Sequence, residues 1–300
     1  MSRATRFSDP RSVDLWDTCF RWRSPGRLHD RTVDETWQRV AAALTASEGE
    51  ERLYWRSRYA FSFGQWQVLP DPRLLRYAGT DMPVPPMHDP VAVVNAGVFV
   101  IDPWTRAARF DHQRFSAAAA VAVRMLDDAV MRFGPDDALP MRLGVGLIGL
   151  GDALNGLGLA YGSPRSPVVA QTIAQSLAMG CLQGSLHLAD ERGNGPQQAE
   201  FGLSDLWKHR ALPGAMAEAV LRNHRHACLT RIERQPELVC LANGASDALE
   251  PATGSAPSPV SPHSLCLEAA RRMIRNAVQP WVDSLLETSN APCAMVQGGA

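Results

Sequence analysis

Cysteine is scarce, and its placement matters more than its number. The 300 residues hold six, Cys19, Cys181, Cys228, Cys240, Cys266 and Cys293, and none lies between Cys19 and Cys181. No two form a CxxC pair, so spacing gives no sign of a structural zinc site or a disulfide framework, and packing thiols in a reducing compartment are expected. Net charge is scarce too. Thirty basic residues stand against 31 acidic ones, which leaves no electrostatic footprint for nucleic acid or an anionic membrane. No apolar run reaches the roughly 18 residues of a membrane span. The opening MSRATRFSDP has no apolar segment, so a secretory signal is not expected and a cytoplasmic chain is. No repeat of 20 to 50 residues is visible.

The hydrophobic pattern is helix-rich. Thr32-Val-Asp-Glu35 is a capping box that should open a helix with Trp37, Val40, Ala41 and Leu44 on one face. A second helix is expected over Glu50 to Phe63. Val91 to Ile101 (VAVVNAGVFVI) reads as a buried strand. Asp111 caps an alanine-rich helix with Phe115, Ala119, Ala122, Met125, Leu126 and Ala129 inward. Ser166-Pro167 is expected to start a long helix, with Ser166 as cap, Val169, Ile173, Leu177, Ala178 and Cys181 buried, and Gly193 as its stop. Further helical pieces are expected over Phe201 to Trp207 and Pro213 to Leu221, and a last helix from Ser264, kinked by Pro280.

Gly144-Val-Gly146-Leu-Ile-Gly149 spells GxGxxG. That fingerprint needs a buried strand before it and an acid about 20 residues on. GPDDALPMRL does not read as a strand and no acid follows at that spacing. A glycine- and alanine-rich helix is expected instead. His224, His226 and Cys228 alternate and could share one face of a strand as metal ligands; polar surface with one packed cysteine is the other reading.

Several stretches carry a family resemblance. GVGLIGLGDALNGLGLAYGSP with the long pattern to ADERG, RTVDETWQRVAAAL…QVLPDPRLLRYAGT, and FDHQRFSAAAAVAVRMLDDAV occur in the order found in ribonucleotide reductase large chains. RHACLTRI, followed by LANGASDALEP, continues that order. The chain resembles in particular the adenosylcobalamin-dependent (class II) type. The resemblance implies a helix-rich α/β fold, with an N-terminal helical region over 1–80 and an incomplete reductase-like barrel over 81–251; composition and periodicity add a Pro/Ser linker over 252–263, a C-terminal helix over 264–287 and a disordered tail over 288–300. It implies that the glycine stretch is part of a helix pair.

The resemblance also implies chemistry that the residues do not supply. The family's radical and reducing cysteines should fall in or beside the interval from Thr80 to Asp111, within the stretch between Cys19 and Cys181 that holds no cysteine. In one alignment Ala96 or Gly97 stands for the first reducing cysteine. In the other Gly79 stands for the radical cysteine, Asp81 for the glutamate and Val94 for the second reducing cysteine. Neither supplies sulfur. The phosphate loop is replaced by Glu233-Arg-Gln-Pro-Glu237, whose acids and donor-less proline oppose anion binding. Thr230, Asn243, Gly244, Ser246 and Glu250 remain as the remnant of the family's substrate pocket. The implied function is a non-catalytic accessory or regulatory chain in deoxyribonucleotide synthesis. One alternative is a reductase subunit that still contributes to ribonucleotide reduction, through Arg225 or Glu250 and with adenosylcobalamin; another is a nucleotide-binding protein. No cofactor is expected of the non-catalytic form. Open strand edges in an incomplete barrel would call for a second copy or a full-length reductase chain as partner.

Overall fold

The computed structural model describes residues 6–135, 141–194, 210, 212–223, 225–252 and 263–286. The expected helix over Phe201 to Trp207, most of the Pro/Ser linker and the C-terminal tail lie outside the described residues.

Asp9 caps α1 (Pro10–Leu15). The capping box of Thr32 and Glu35 opens α2 (Val33–Leu44), which buries Trp37, Val40, Ala41 and Leu44 as the spacing requires. Helix α3 (Arg52–Gly64) packs beside it and leads into β1 (Val68–Pro70) and α4 (Pro72–Tyr77). Strand β2 (Val91–Asn95) is shorter than the apolar run that predicted it. Asn95 turns its side chain back to accept from the Gly97 amide at 3.1 Å, and the chain enters a 3-10 turn over Ala96–Phe99. Asp111 caps α5 (His112–Phe133), accepting from the Arg114 amide at 3.0 Å.

The glycine stretch departs from the expected helix. Arg142–Ile148 is a strand, β3, followed by α6 (Leu150–Gly156). Strand geometry wins because the segment is flanked on both sides by partner strands, and its glycines let neighbouring chain approach closely. A Cβ on Gly146 would sit 2.6 Å from the Arg231 carbonyl oxygen. Gly149, at φ 72°, ends the strand in a left-handed conformation that favours glycine. Helix α7 (Ser166–Arg192) follows. Its cap is Arg165, and the Ser166 hydroxyl instead donates to Ala160 O at 2.8 Å. Helix α8 (Gly214–Arg222), β4 (Cys228–Thr230), α9 (Pro236–Leu241) and α10 (His263–Val278) follow among the described residues. Pro280 does not kink α10; the helix stops at Val278 and a 3-10 turn covers Gln279–Trp281. Ile274, Val278 and Val282 are buried, and α10 docks on α7.

The main sheet has the order β1-β2-β3-β4. Strand β1 is antiparallel to β2, with Val68 opposite Val94, while β2, β3 and β4 run parallel. Helix α5 lies across β1, β2 and β3, and α7 lies beside α5 and reaches β4. The sheet does not close among the described residues, so the fold is a helix-rich α/β with an incomplete barrel. The outer edge of β4 is nevertheless covered, contrary to the expectation of open edges. Asp283 accepts the Leu229 and Thr230 amides at 2.8 and 3.0 Å, and its own amide bonds back to Thr230 Oγ1 at 2.9 Å. Arg210 lies 3.2 Å from the Asp283 carboxylate. A side chain here does the sealing that a neighbouring strand would do.

The α5–α7 contact depends on small residues. A Cβ on Gly180 would meet Ser116 backbone carbon at 2.8 Å, and one on Gly184 would meet Ala120 Cα at 3.0 Å. Alanine is favoured over glycine inside a helix by about 1 kcal/mol. Gly180→Ala should still destabilise by about 2 kcal/mol or more through overpacking. A thermal melt with an unchanged or higher midpoint would contradict this contact.

Candidate functional site

In open α/β sheets, ligands bind outside the carboxyl ends of the parallel strands. Here those ends are Asn95, Ile148 and Thr230. The segment 246–252 lies over the end of β3. Gly149 N–H donates to Ser246 O at 2.7 Å, Ser246 N–H donates to Asp152 Oδ2 at 2.7 Å, and Asp152 N–H donates to Ser246 Oγ at 3.3 Å. Gly151 has no room for a Cβ, because Glu250 O and Pro251 C would lie 2.6 Å from it. Tyr161 donates its hydroxyl to Leu249 O. Glu250 is held by Arg271 of α10 at 2.8 and 2.7 Å.

The remaining remnant residues are placed elsewhere. Thr230 is buried beneath Asp283 and Trp281. Asn243 accepts the Ser8 amide at 2.7 Å, and a Cβ on Gly244 would meet Asp9 Oδ2 at 3.3 Å. So Ser246 and Glu250 lie on one segment, Asn243 and Gly244 anchor the N-terminal stretch, and Thr230 anchors the C-terminal one. The alignment positions separate in the same way. Val94, Ala96 and Gly97 stand at the end of β2. Gly79 packs on Arg39, and Asp81 accepts from Trp22 Nε1 at 3.2 Å.

Among the described residues no thiol reaches these strand ends. Cys228 opens β4 at its amino end, Cys181 is buried in α7, Cys240 lies on α9 and Cys19 lies in the turn after α1. Burial raises the Cys181 thiol well above its usual range and the Cys228 thiol to about 11. Both are packing residues.

The largest polar assembly among the described residues has little sign in the sequence. Asp127 and Asp128, adjacent on α5, are buried among Arg192 of α7 and Arg225 and His226 before β4. Arg225 Nε donates to Asp127 Oδ1 at 2.6 Å, and His226 Nε2 lies 3.0 Å from the same oxygen. Arg124 binds Glu191 and Glu48, and Arg192 also binds Glu48. Four carboxylates thus face three guanidiniums. Tyr59 of α3 donates its hydroxyl to Asp128. The signal available in the sequence was a pair of acids, Asp127-Asp128, between inward-facing Leu126 and Ala129.

Ser185 Oγ, His226 and Asp127 form a hydroxyl–imidazole–carboxylate chain, with 2.8 Å from Ser185 Oγ to His226 Nδ1. It does not make a nucleophile. All three are buried, and the Asp127 charge is already spent on two arginines. Burial, outweighing Asp127, holds His226 below its usual pKa. With both ring nitrogens occupied, His226 is not free to ligate a metal, which removes the metal reading of His226 and Cys228; His224 lies outside the described residues. No group of three His, Cys, Asp or Glu side chains placed to hold a metal ion occurs among the described residues.

Residues 86–234 match the family model of the ribonucleotide reductase barrel domain. Over that segment the chain is similar to ribonucleotide reductase large subunits. It is 29% identical over 130 residues to the ribonucleoside-diphosphate reductase large subunit of African swine fever virus (isolate Tick/Malawi/Lil 20-1/1983), covering 39% of this chain and 16% of that one. A solved reductase-type structure, the Actinobacillus ureae class Id ribonucleotide reductase alpha subunit, is 17% identical with a TM-score of 0.38, over 55% of this chain and 29% of that one. The chain spans about a sixth of the length of the curated relative it matches.

The two aspartates titrate in opposite senses. Burial would raise Asp127, but the hydrogen bonds from His226 and Arg225 overcome it and hold its carboxyl well below the ordinary range. Burial dominates at Asp128 and lifts it to about 7, against the pull of Arg192 and Tyr59. A carboxyl raised on folding favours the folded state at low pH and loses that contribution as pH rises through 7. Wild type should therefore lose stability relative to Asp128→Asn between pH 5 and pH 8, by on the order of 2 kcal/mol. Urea unfolding at both pH values reads this; a variant-to-wild-type difference independent of pH would contradict it.

Proposed function

We propose that this chain is a non-catalytic reductase-related protein, acting as an accessory or regulatory partner of a full-length ribonucleotide reductase chain in cytoplasmic deoxyribonucleotide synthesis. The observation that carries the reading is the absence of any thiol at the carboxyl ends of the parallel strands among the described residues. Radical reduction of a ribose needs a thiol there to carry the radical and two more to supply electrons. Asn95, Gly97, Gly149 and Thr230 supply none. Two further features favour it. Segment 246–252 lies where a substrate would enter, and Glu250, the residue best placed to meet one, is paired with Arg271.

Adenosylcobalamin belongs to the class II reading. Its part in such chemistry is to generate a radical on a cysteine. The residues at these strand ends do not fit that use, and no step is assigned through it. The alternative that Arg225 serves a reaction in trans is disfavoured by its burial against Asp127.

A partner surface is offered by α3, which exposes Leu53, Tyr54 and Phe61 along one side. The test has two readings. The purified chain, given ribonucleoside di- and triphosphates, dithiothreitol and adenosylcobalamin, should form no deoxynucleotide above the protein-free control. Tagged and recovered from its own cells, it should bring down a full-length reductase chain. Turnover proportional to the chain would overturn the non-catalytic reading; recovery without any reductase chain would overturn the accessory one.

A further inference from the structure

A second feature lies away from the strand ends, on the helical side of the molecule. Helices α3, α5 and α7 line a half-open cavity of about 290 Å³. Its floor is apolar and small: Ala117, Ala120 and Val121 of α5 with Gly184 and Leu188 of α7. The floor is low because Gly184 lets the α7 backbone approach Ala120. The α3 wall is Trp55 and Arg58, one helical turn apart, and the α7 rim is Gln183 and His187, also one turn apart.

Two cationic side chains line this cavity, and each has a buried N–H without an acceptor. Arg58 Nε is buried with no hydrogen-bond partner, and Arg58 makes no ion pair among the described residues. Arg124, with 3% of its side chain exposed, spends its terminal nitrogens on Glu191 and Glu48, yet its Nε also lacks an acceptor. Trp55 covers one face of the Arg124 guanidinium at 4.0 Å. Stacking on the face leaves the in-plane Nε–H unanswered. Buried donors are ordinarily satisfied, so two on one cavity point to an acceptor that arrives from outside.

We propose that this cavity binds a small organic anion: a carboxylate or phosphate monoester on a short aromatic or aliphatic body. The anion accepts from Arg58, with Arg124 Nε–H beside it, and the body lies on the Ala117–Ala120–Gly184 floor against Trp55. The volume is at the lower limit of small-molecule pockets, about 300 Å³ upward, which restricts the body to about one ring. The net need is for one negative charge, since Arg124 is already neutralised by two glutamates while Arg58 is not. The site shares no residue with the strand-end region, so it stands apart from the accessory-chain reading.

The experiment is calorimetric titration of the whole chain with benzoate, phenyl phosphate, hexanoate and, as a control, inorganic phosphate. Benzoate or phenyl phosphate should bind one to one and at least tenfold more tightly than inorganic phosphate. Arg58→Gln should weaken binding about tenfold, the loss of one charge-assisted hydrogen bond. Ala117→Phe, on an exposed helix position, should fill the cavity and abolish binding. Both variants are first checked for a wild-type thermal melt. If Arg58→Gln fails that check, Arg58→Lys replaces it and should retain most of the affinity. No probe binding, binding indifferent to both substitutions, or equal affinity for inorganic phosphate would each overturn the proposal; the first would mean that ordered water alone satisfies the two donors.

Discussion

The fold depends on a charge placed where charge is expensive. Asp127 is fully buried on α5, and it persists because Arg192, Arg225 and His226 converge on it from α7 and the segment before β4. Removing one partner from such a group costs about 3–5 kcal/mol, because the other charge is left buried and alone. The arrangement therefore fixes relative positions rather than adding much net stability. Asp128 and Glu48 extend it to α3 and to the turn before α3, so the N-terminal helices are tied to the sheet by the same network. The surplus of one carboxylate over guanidiniums gives a physical reason for Asp128 to keep its proton near neutrality.

The carboxyl ends of the strands and the outer edge of β4 show a related economy. Both are places where a larger α/β protein would meet a ligand or another strand. Here each is closed by a nearby segment of the same chain. Ser246 and Asp152 close the first through reciprocal bonds to backbone amides. Asp283 closes the second by accepting two strand amides. A carboxylate can do this because it offers several acceptor sites without needing strand geometry. Residues 86–234 are similar to the reductase barrel domain, but fold alone does not carry function, and function rests on the residues at the strand ends.

Local signals were legible where one residue decides the outcome. Thr32 with Glu35 and Asp111 cap their helices as written, because a cap needs only its own few residues. The buried face of α2 followed from spacing; on α7 Ile173, Leu177, Ala178 and Cys181 are buried as expected, but Val169 is only partly buried, and Ala170, Ala174, Leu182 and Gly184 are buried as well because the helix packs on α5, α10 and β4. The glycine stretch did not follow from spacing. Gly144 and Gly146 suggest a helix seam when read alone, and become a strand only because Arg231 and the β2 backbone lie against them. That information belongs to residues far along the chain. The same holds for the candidate site. Thr230, Asn243 and Ser246 are near in sequence, yet each is claimed by a different distant partner, Asp283, Ser8 or Asp152. The aspartate network was the deepest omission, since its members come from five separate stretches and none is unusual by itself.

The central claim is that Asp127 and its arginines are mutually dependent. A double-mutant cycle of Asp127→Asn with Arg225→Gln, read by urea unfolding at pH 7, tests it most directly. The account predicts single-variant losses of about 3 kcal/mol or more and a coupling of at least about 2 kcal/mol, so that the double variant is much less impaired than the sum. Single losses under about 1 kcal/mol, or strict additivity within about 0.5 kcal/mol, would contradict it.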